Sequence, residues 1–327
     1  MNRKPYVYIT RKLPEQIVNK IKSFANVGMW EWEDKPVPRS VLLEESRKAD
    51  ALFTMLSDPI DEEIYTDAKK LKVVANLAVG YDNIDINGAT RRGIAVCHTP
   101  DILTETTADL AFSLIMMVAR RLGEAIEYVK KGKWTSWSPL LLAGADVHHK
   151  TLGIVGMGKI GEAVARRASG FQMNVLYNNR HRKLEAEKQL AVEYRPFEAL
   201  IEESDFVLCL TPLTEETRNL FTYDVFKKMK KTAYFINVGR GRVVVEKDLI
   251  RALQEGEIAG AGLDVFENEP IGADHPLLKF PNVVALPHIG SASMETRLAM
   301  MDRSVENIKR VLDGKRPISI VNPEIYE

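Results

Sequence analysis

Cysteine is nearly absent from this chain: Cys97 and Cys209 are the two among 327 residues, and each lies in an apolar, strand-like segment. A disulfide framework or a thiolate metal site is therefore disfavoured, packed free thiols are expected, and a reducing cytoplasm fits best. Net charge is missing too. Lys plus Arg and Asp plus Glu are both 45, so no broad basic field is available to hold nucleic acid. Long hydrophobic runs are also lacking. The longest, residues 110–119, is bracketed by Asp109 and Arg120 and is too short to span a bilayer, which points away from a membrane. The opening MNRKPYVYIT enters a strand-like run with no signal-peptide hydrophobic region. No internal repeat or low-complexity segment stands out. What is present, 45% hydrophobic and 28% charged residues, suits a globular protein with one large core or two medium ones, and the length favours two domains.

Strand-like runs alternate with helical patterns along the chain, the signature of an α/β protein with parallel sheets. Strands are expected at residues 6–10, 51–55, 72–78 and 94–98, with helices at 14–24 and 61–69. A long helix is expected from 104 to about 131, with Ala108, Ala111, Phe112, Ile115 and Val118 at helical spacing. Residues 134–149, with Pro139, Gly144, His148 and His149, lack periodicity and read as an extended loop whose histidines are solvated. The alternation resumes with strands at 152–155, 174–177, 206–210, 233–238, 260–265 and 283–286, and a helix closes the pattern at 294–312.

The segment LGIVGMGKIG, residues 152–161, places Gly156, Gly158 and Gly161 in the G-x-G-x-x-G spacing between a strand and a helix. That turn lays a pyrophosphate against a helix N-terminus. Gly156 serves the tight turn, Gly158 the approach of backbone amides to phosphates, and Gly161 the packing of helix on strand. Lys159 and Ile160 complete the turn, so a dinucleotide cofactor is the first expectation.

Polar clusters follow later strands, where an open α/β sheet places its ligand. In NVGRG, residues 237–241, Val238 leads to Arg240, whose planar fork suits a carboxylate. LDVFENEP, residues 263–270, offers Asp264 at a strand end and Glu269 before a proline. In LPHIGSAS, residues 286–293, His288 precedes Gly290 and Ser291, small residues that let a ligand approach. Hydride delivery to a ketone leaves negative charge on oxygen, so a cation must stabilise it and an acid must protonate it. Arg240 and His288 have those capacities, and Glu269 can orient the His288 ring and favour its imidazolium. Reversible reduction of a 2-oxo acid is the chemistry this set suits, and no metal is called for.

These clusters, with NLAVGYDNID at 76–85 and TTADLAFSL at 106–114, resemble the D-isomer-specific 2-hydroxyacid dehydrogenases over nearly the whole chain. The resemblance implies two doubly wound parallel-sheet domains with the active site in the cleft between them, and closure of the domains on the ligands. The outer, substrate-binding domain is expected at 1–100 plus 290–327, and the dinucleotide-binding Rossmann domain at 101–289. By motif, Arg240 binds substrate, His288 is the acid/base and Glu269 tunes it. The resemblance further implies that the Val79 and Gly80 amides hold the substrate carboxylate, that Asp264 lies near the nicotinamide carboxamide, and that Thr211 and Pro212 line the cofactor.

One departure concerns the cofactor. Relatives specific for NAD present an acidic residue after the second strand, whereas this chain reads Tyr177, Asn178, Asn179, Arg180, His181, Arg182, Lys183. NADP is therefore expected to be preferred, with NAD possible, through Arg180 as chief contact to the 2′-phosphate and Arg182 in support, with Asn179 and His181 beside them. The pattern YNNRHRK looks like the glyoxylate/hydroxypyruvate and 2-ketogluconate reductase branch. Leu56, Ser57 and Trp137 are expected to border the substrate. The resemblance also implies a homodimer, with the loop after the long helix at the interface and Trp137 reaching the partner. A nucleotide-sensing corepressor of the same fold and a phosphoglycerate dehydrogenase are the alternatives. Formate dehydrogenase is disfavoured because it characteristically has glutamine at the place of Glu269.

Overall fold

The computed structural model describes residues 3–327. It divides into two compact units, one running to Leu103 and resuming at Ser293–Glu327, the other Thr104–Ala292. In the first, strands β1 (Tyr6–Ile9), β2 (Asn26–Met29), β3 (Ala51–Thr54), β4 (Val73–Asn76) and β5 (Ala95–Cys97) alternate with helices α1 (Glu15–Lys22), α2 (Arg39–Ser46), α3 (Glu62–Asp67) and α4 (Ile86–Arg91). The sheet is wholly parallel, in the order β2-β1-β3-β4-β5. Its central strands are apolar on both faces because helices cover both sides. Asp61 and Asp85 start α3 and α4 by accepting hydrogen bonds from the Ile64 and Gly88 amides. The edge strand β2, NVGM, is exposed or only partly buried and carries Asn26 and Gly28, so it lacks the β-branched apolar run by which the other strands are read.

The second unit opens with α5 (Thr104–Ala119) and α6 (Leu122–Lys130). The single helix expected over 104–131 is thus two helices, broken at Arg121, whose φ of 52° ends the α-helical run. Past a loop without regular structure come β6 (Thr151–Val155), α7 (Lys159–Gly170), β7 (Asn174–Asn178), α8 (Leu184–Leu190), β8 (Glu193–Tyr194), α9 (Phe197–Glu203) and β9 (Phe206–Cys209). Then follow α10 (Tyr223–Lys228), β10 (Tyr234–Asn237), α11 (Glu246–Gln254), β11 (Gly260–Leu263) and β12 (Val283–Ala285). All seven strands are parallel, ordered β12-β11-β10-β9-β6-β7-β8. This is the doubly wound arrangement, with its switch of direction between β6 and β9.

Alternation along these strands feeds a separate core on each face. Ile154, Leu208 and Ile236 join Phe112, Ile115 and Val164 on one side. Val155, Val207 and Phe235 join Phe221, Phe226 and Leu249 on the other. Each such side chain contributes about 1.5–3 kcal/mol on burial. The chain then returns through α12 (Met294–Leu312), capped by Ser293 and packed on β4 and α1 of the first unit. Its tail is tied to β5 where Asn322 Oδ1 accepts from the Val96 amide at 2.8 Å. Cys97 and Cys209 are buried free thiols, and burial pushes Cys97 up to about 12. Among the described residues no helix is long and apolar enough to cross a membrane.

Candidate active site

Because every strand of the second unit runs the same way, the segments that follow β6, β7, β9, β10, β11 and β12 all emerge at one edge of its sheet. Gly156–Gly161, Asn179–Arg182, Thr211–Pro212, Val238–Arg240, Asp264–Glu269 and His288–Ser291 are those segments.

The glycine turn has the geometry its spacing predicts. Gly156 has φ of 104°, and a Cβ there would lie 2.9 Å from the Leu210 carbonyl carbon and from the Thr211 nitrogen. A Cβ on Gly161 would press on the Gly156 oxygen at 3.0 Å, so α7 leaves β6 in close contact with it. Gly158 is the N-cap of α7 and offers no side-chain cap, and its missing Cβ would project into open space. A helix N-terminus whose first-turn amides are uncapped, beside space free of protein atoms, fits a pyrophosphate. Asn179 holds the turn in shape: its Oδ1 accepts from the Met157 amide at 2.7 Å and its Nδ2 donates to the Met157 carbonyl at 3.0 Å.

Beyond Asn179 the basic residues separate. Arg180 is exposed and makes no ion pair among the described residues. Arg182 instead closes on Glu187 with Nε–Oε1 at 3.0 Å and Nη2–Oε2 at 2.6 Å. Lys183 pairs with Glu162 at 2.7 Å.

His288, Glu269, Arg240 and Asp264 are interlocked. Glu269 Oε2 accepts from His288 Nδ1 at 2.7 Å and Oε1 accepts from the Phe266 amide at 2.9 Å. A carboxylate only accepts, so Nδ1 carries a proton and Nε2 is the nitrogen left for acid–base exchange. Burial pushes the Glu269 carboxyl up, but the bond and charge of His288, the Phe266 amide and the Arg240 charge outweigh it and hold it below the usual range. The two side chains remain 25% and 30% exposed. Arg240 is half-buried, and Asn237 and Gly239 order the turn that carries it. His288 has φ of 54°, a left-handed conformation that a histidine adopts at some cost. Asp264, 1% exposed, secures it by accepting from the Ile289 and Gly290 amides, both at 2.8 Å. Burial raises the Asp264 carboxyl despite those donors and the neighbouring His288.

These features agree with the comparisons to known proteins. Residues 112–290 match the model of the D-isomer specific 2-hydroxyacid dehydrogenase NAD binding domain. The chain belongs to the D-isomer specific 2-hydroxyacid dehydrogenase family. The dehydrogenase is 51% identical over 325 residues to the glyoxylate reductase of Korarchaeum cryptofilum, covering 99% of this chain and 98% of that one. A Thermus thermophilus protein superposes with a TM-score of 0.91 at 41% identity, over 97% of this chain and 99% of that one. The NADPH-dependent glyoxylate/hydroxypyruvate reductase of Sinorhizobium meliloti, solved with NADP and malonate, has a TM-score of 0.86 at 32% identity, over 98% and 97% of the two chains.

In the first unit of the dehydrogenase, Val79 and Gly80 lie in the loop after β4, and Leu56 and Ser57 in the loop after β3, at the carboxyl edge of that sheet. Ser57 Oγ accepts from Arg11 at 2.9 Å. Asn83 ties the two loops, its Nδ2 donating to the Asp58 carbonyl at 2.8 Å, while Asn76 Nδ2 donates to the Gly80 carbonyl at 3.1 Å. Sequence reasoning missed Asn76 and Asn83 as organisers of this edge. The available signal was a pair of asparagines flanking a glycine in NLAVGYDN. Trp137 is 79% exposed in the loop beyond α6. Among the described residues no group of three or more His, Cys, Asp or Glu is placed to hold a metal ion.

Proposed function

We propose that the chain reduces glyoxylate, and with it small polar 2-oxo acids such as hydroxypyruvate or 2-ketogluconate, to the 2-hydroxy acid, in the D form where it is chiral, using NADPH in preference to NADH. The observation that carries this reading is the His288 Nδ1–Glu269 contact at 2.7 Å, beside an arginine whose charge reaches the same carboxylate. The 51% identity to a glyoxylate reductase supports the choice of substrate.

Each residue has a distinct task. The Val79 and Gly80 amides take the substrate carboxylate. Arg240 directs its guanidinium at the substrate and stabilises charge growing on the carbonyl oxygen. His288 gives that oxygen a proton from Nε2, and Glu269 keeps the imidazolium favoured and the ring oriented. Asp264 holds the His288 backbone in place. The reduced nicotinamide, when bound, supplies the hydride to the carbonyl carbon. Gly156–Gly161 would hold its pyrophosphate, with Thr211, Pro212, Val238 and Gly290 along the remainder.

The cofactor preference rests on Arg180. It is exposed, and no carboxylate follows β7 before it. Arg182 contributes less than the motif suggested, because Glu187 already offsets its charge. The NADP-bound Sinorhizobium structure supports the same preference. Steady-state turnover of glyoxylate with each reduced cofactor tests the proposal: kcat/KM is expected to be higher with NADPH. Arg180→Ser is expected to lower the NADPH value about 10-fold, or ~1.4 kcal/mol, and to spare NADH. No turnover with either cofactor would favour a dinucleotide-binding corepressor instead.

We further infer a homodimer formed through α6 and the loop that follows it, as the family resemblance implies.

A further inference from the structure

The loop after β4 has its carbonyls engaged one after another. The Thr99 amide donates to the Ala78 carbonyl at 2.8 Å, His98 Nδ1 lies 2.9 Å from the Val79 carbonyl, and Asn76 Nδ2 donates to the Gly80 carbonyl at 3.1 Å. The Val79 and Gly80 amides, by contrast, make no hydrogen bond among the described residues. The loop therefore faces outward with its donors, and its acceptors are turned inward onto fixed partners.

A carbonyl can only accept, so the His98 ring must carry its proton on Nδ1. The Val79 carbonyl and the Gly80 N–H belong to one peptide group. A hydrogen bond donated to its oxygen draws electron density from its nitrogen and makes the N–H a stronger donor, a cooperative gain of about 10–30% per bond. The Thr99 contact acts in the same sense on the Ala78–Val79 peptide, whose N–H is that of Val79. His98 is itself firmly held. Ser319 Oγ donates to the His98 carbonyl at 2.7 Å and accepts from Asn307 Nδ2 at 3.0 Å, both residues being buried. The Tyr81 ring packs edge-on at 5.8 Å between centroids.

We propose that His98 is a positioning residue for substrate binding: its Nδ1–H fixes the Val79 carbonyl and sharpens the Gly80 amide as a donor to the carboxylate of a 2-oxo acid. This rests on the proposed function, since it assumes that these amides receive the carboxylate. Substrate carboxylate binding is thereby linked to α12 and the C-terminal tail through Asn307, Ser319 and His98.

Two variants test it. His98→Phe keeps a ring against Tyr81 and removes the donor, whereas His98→Asn places an amide nitrogen near the position of Nδ1. With glyoxylate, His98→Phe is expected to raise KM about tenfold with kcat within roughly twofold and the KM for NADPH unchanged, and His98→Asn to restore KM. The Gly80 amide proton, read in the nitrogen–proton NMR spectrum of the cofactor-free protein, is expected to move upfield in His98→Phe and to return in His98→Asn. A wild-type KM with an unmoved Gly80 resonance in His98→Phe would overturn the proposal. So would failure of His98→Asn to restore either readout, or a parallel fall in kcat. If wild-type protein did not turn over glyoxylate, the proposed function would fall while the Gly80 resonance still decided the His98 contact.

Discussion

His288 departs from the ordinary backbone regions at φ of 54°, and that departure has a cause in its neighbours. Asp264 anchors the two amides that follow it, and Glu269 anchors its ring. A left-handed residue of this kind costs about 1–3 kcal/mol, which the surrounding contacts must offset for the ring to stay put. Glu269→Gln keeps the size and removes the charge. Its amide nitrogen must face either the Phe266 N–H or the Nδ1–H, so one of the two bonds fails. The kcat/KM for glyoxylate reduction is therefore expected to fall about tenfold, ~1.4 kcal/mol, because the ring loses its anionic partner. Stability is expected to depend on pH. Glu269 is held below its ordinary range in the fold, so its contribution is present above the unfolded value of about 4.3 and is lost as pH falls through the lowered one. Denaturant titrations should show the variant less stable than the parent at neutral pH and equal to it in acid. At this scale the sequence was readable where a polar residue follows an apolar strand: Arg240, Glu269 and His288 lie, as expected, in the segments after β10, β11 and β12. It was unreadable where a side chain serves distant backbone. Asn179 works on the Met157 peptide, and the Glu187 partner of Arg182 lies one turn into α8.

Elements divide in the same way. The strand, glycine turn and helix of β6 and α7 follow from local spacing: Gly156 takes a positive φ, Gly158 is the N-cap of α7 and Gly161 faces the Gly156 oxygen. The break between α5 and α6 does not. No glycine or proline stands at Arg120 or Arg121. The helix ends there because the Ala145 amide donates to the Ala119 carbonyl at 2.8 Å, and a Cβ on Gly144 would collide with that same carbonyl at 2.1 Å. That cap comes from across a loop, so no local pattern announces it. The glycine turn yields a prediction that separates folding from ligand space. Gly156→Ala meets strained backbone and the Leu210–Thr211 peptide, so it is expected to lower both thermal stability and NADPH affinity. Gly158→Ala places its methyl in open space. If phosphate takes that space, the variant should melt within about 1 kcal/mol of the parent yet bind NADPH at least roughly tenfold more weakly by fluorescence titration. Unchanged NADPH affinity in Gly158→Ala would remove the pyrophosphate from this turn.

For the whole molecule, the informative surface is the one that does not contribute to either core. None of the nine residues of α6 is buried, although Leu122, Ile126 and Val129 recur at helical spacing, with Ile126 and Val129 50% and 56% exposed. Trp134, Trp137 and Leu140 follow in the next loop, also exposed. An apolar stripe continued by tryptophans is the surface that the proposed homodimer would use. A second copy of the chain is the occupant that the family resemblance names, and a formal net charge of zero means that two copies meet without net repulsion. Sedimentation equilibrium is expected to return the mass of two 36.9 kDa chains for the parent, and of one for Ile126→Glu combined with Val129→Glu. Neither substitution removes a buried side chain, so the variant should keep its circular dichroism spectrum, which separates dissociation from unfolding. Trp137→Ala refines the reading. If the tryptophan completes the partner's substrate site, its loss should raise KM for glyoxylate and leave the dimer mass unchanged. If it only packs the interface, its loss should lower the mass on dilution and leave KM for glyoxylate unchanged. A parent chain that sediments as a monomer while turning over glyoxylate would show that the exposed stripe serves some other contact and that each chain carries a complete site.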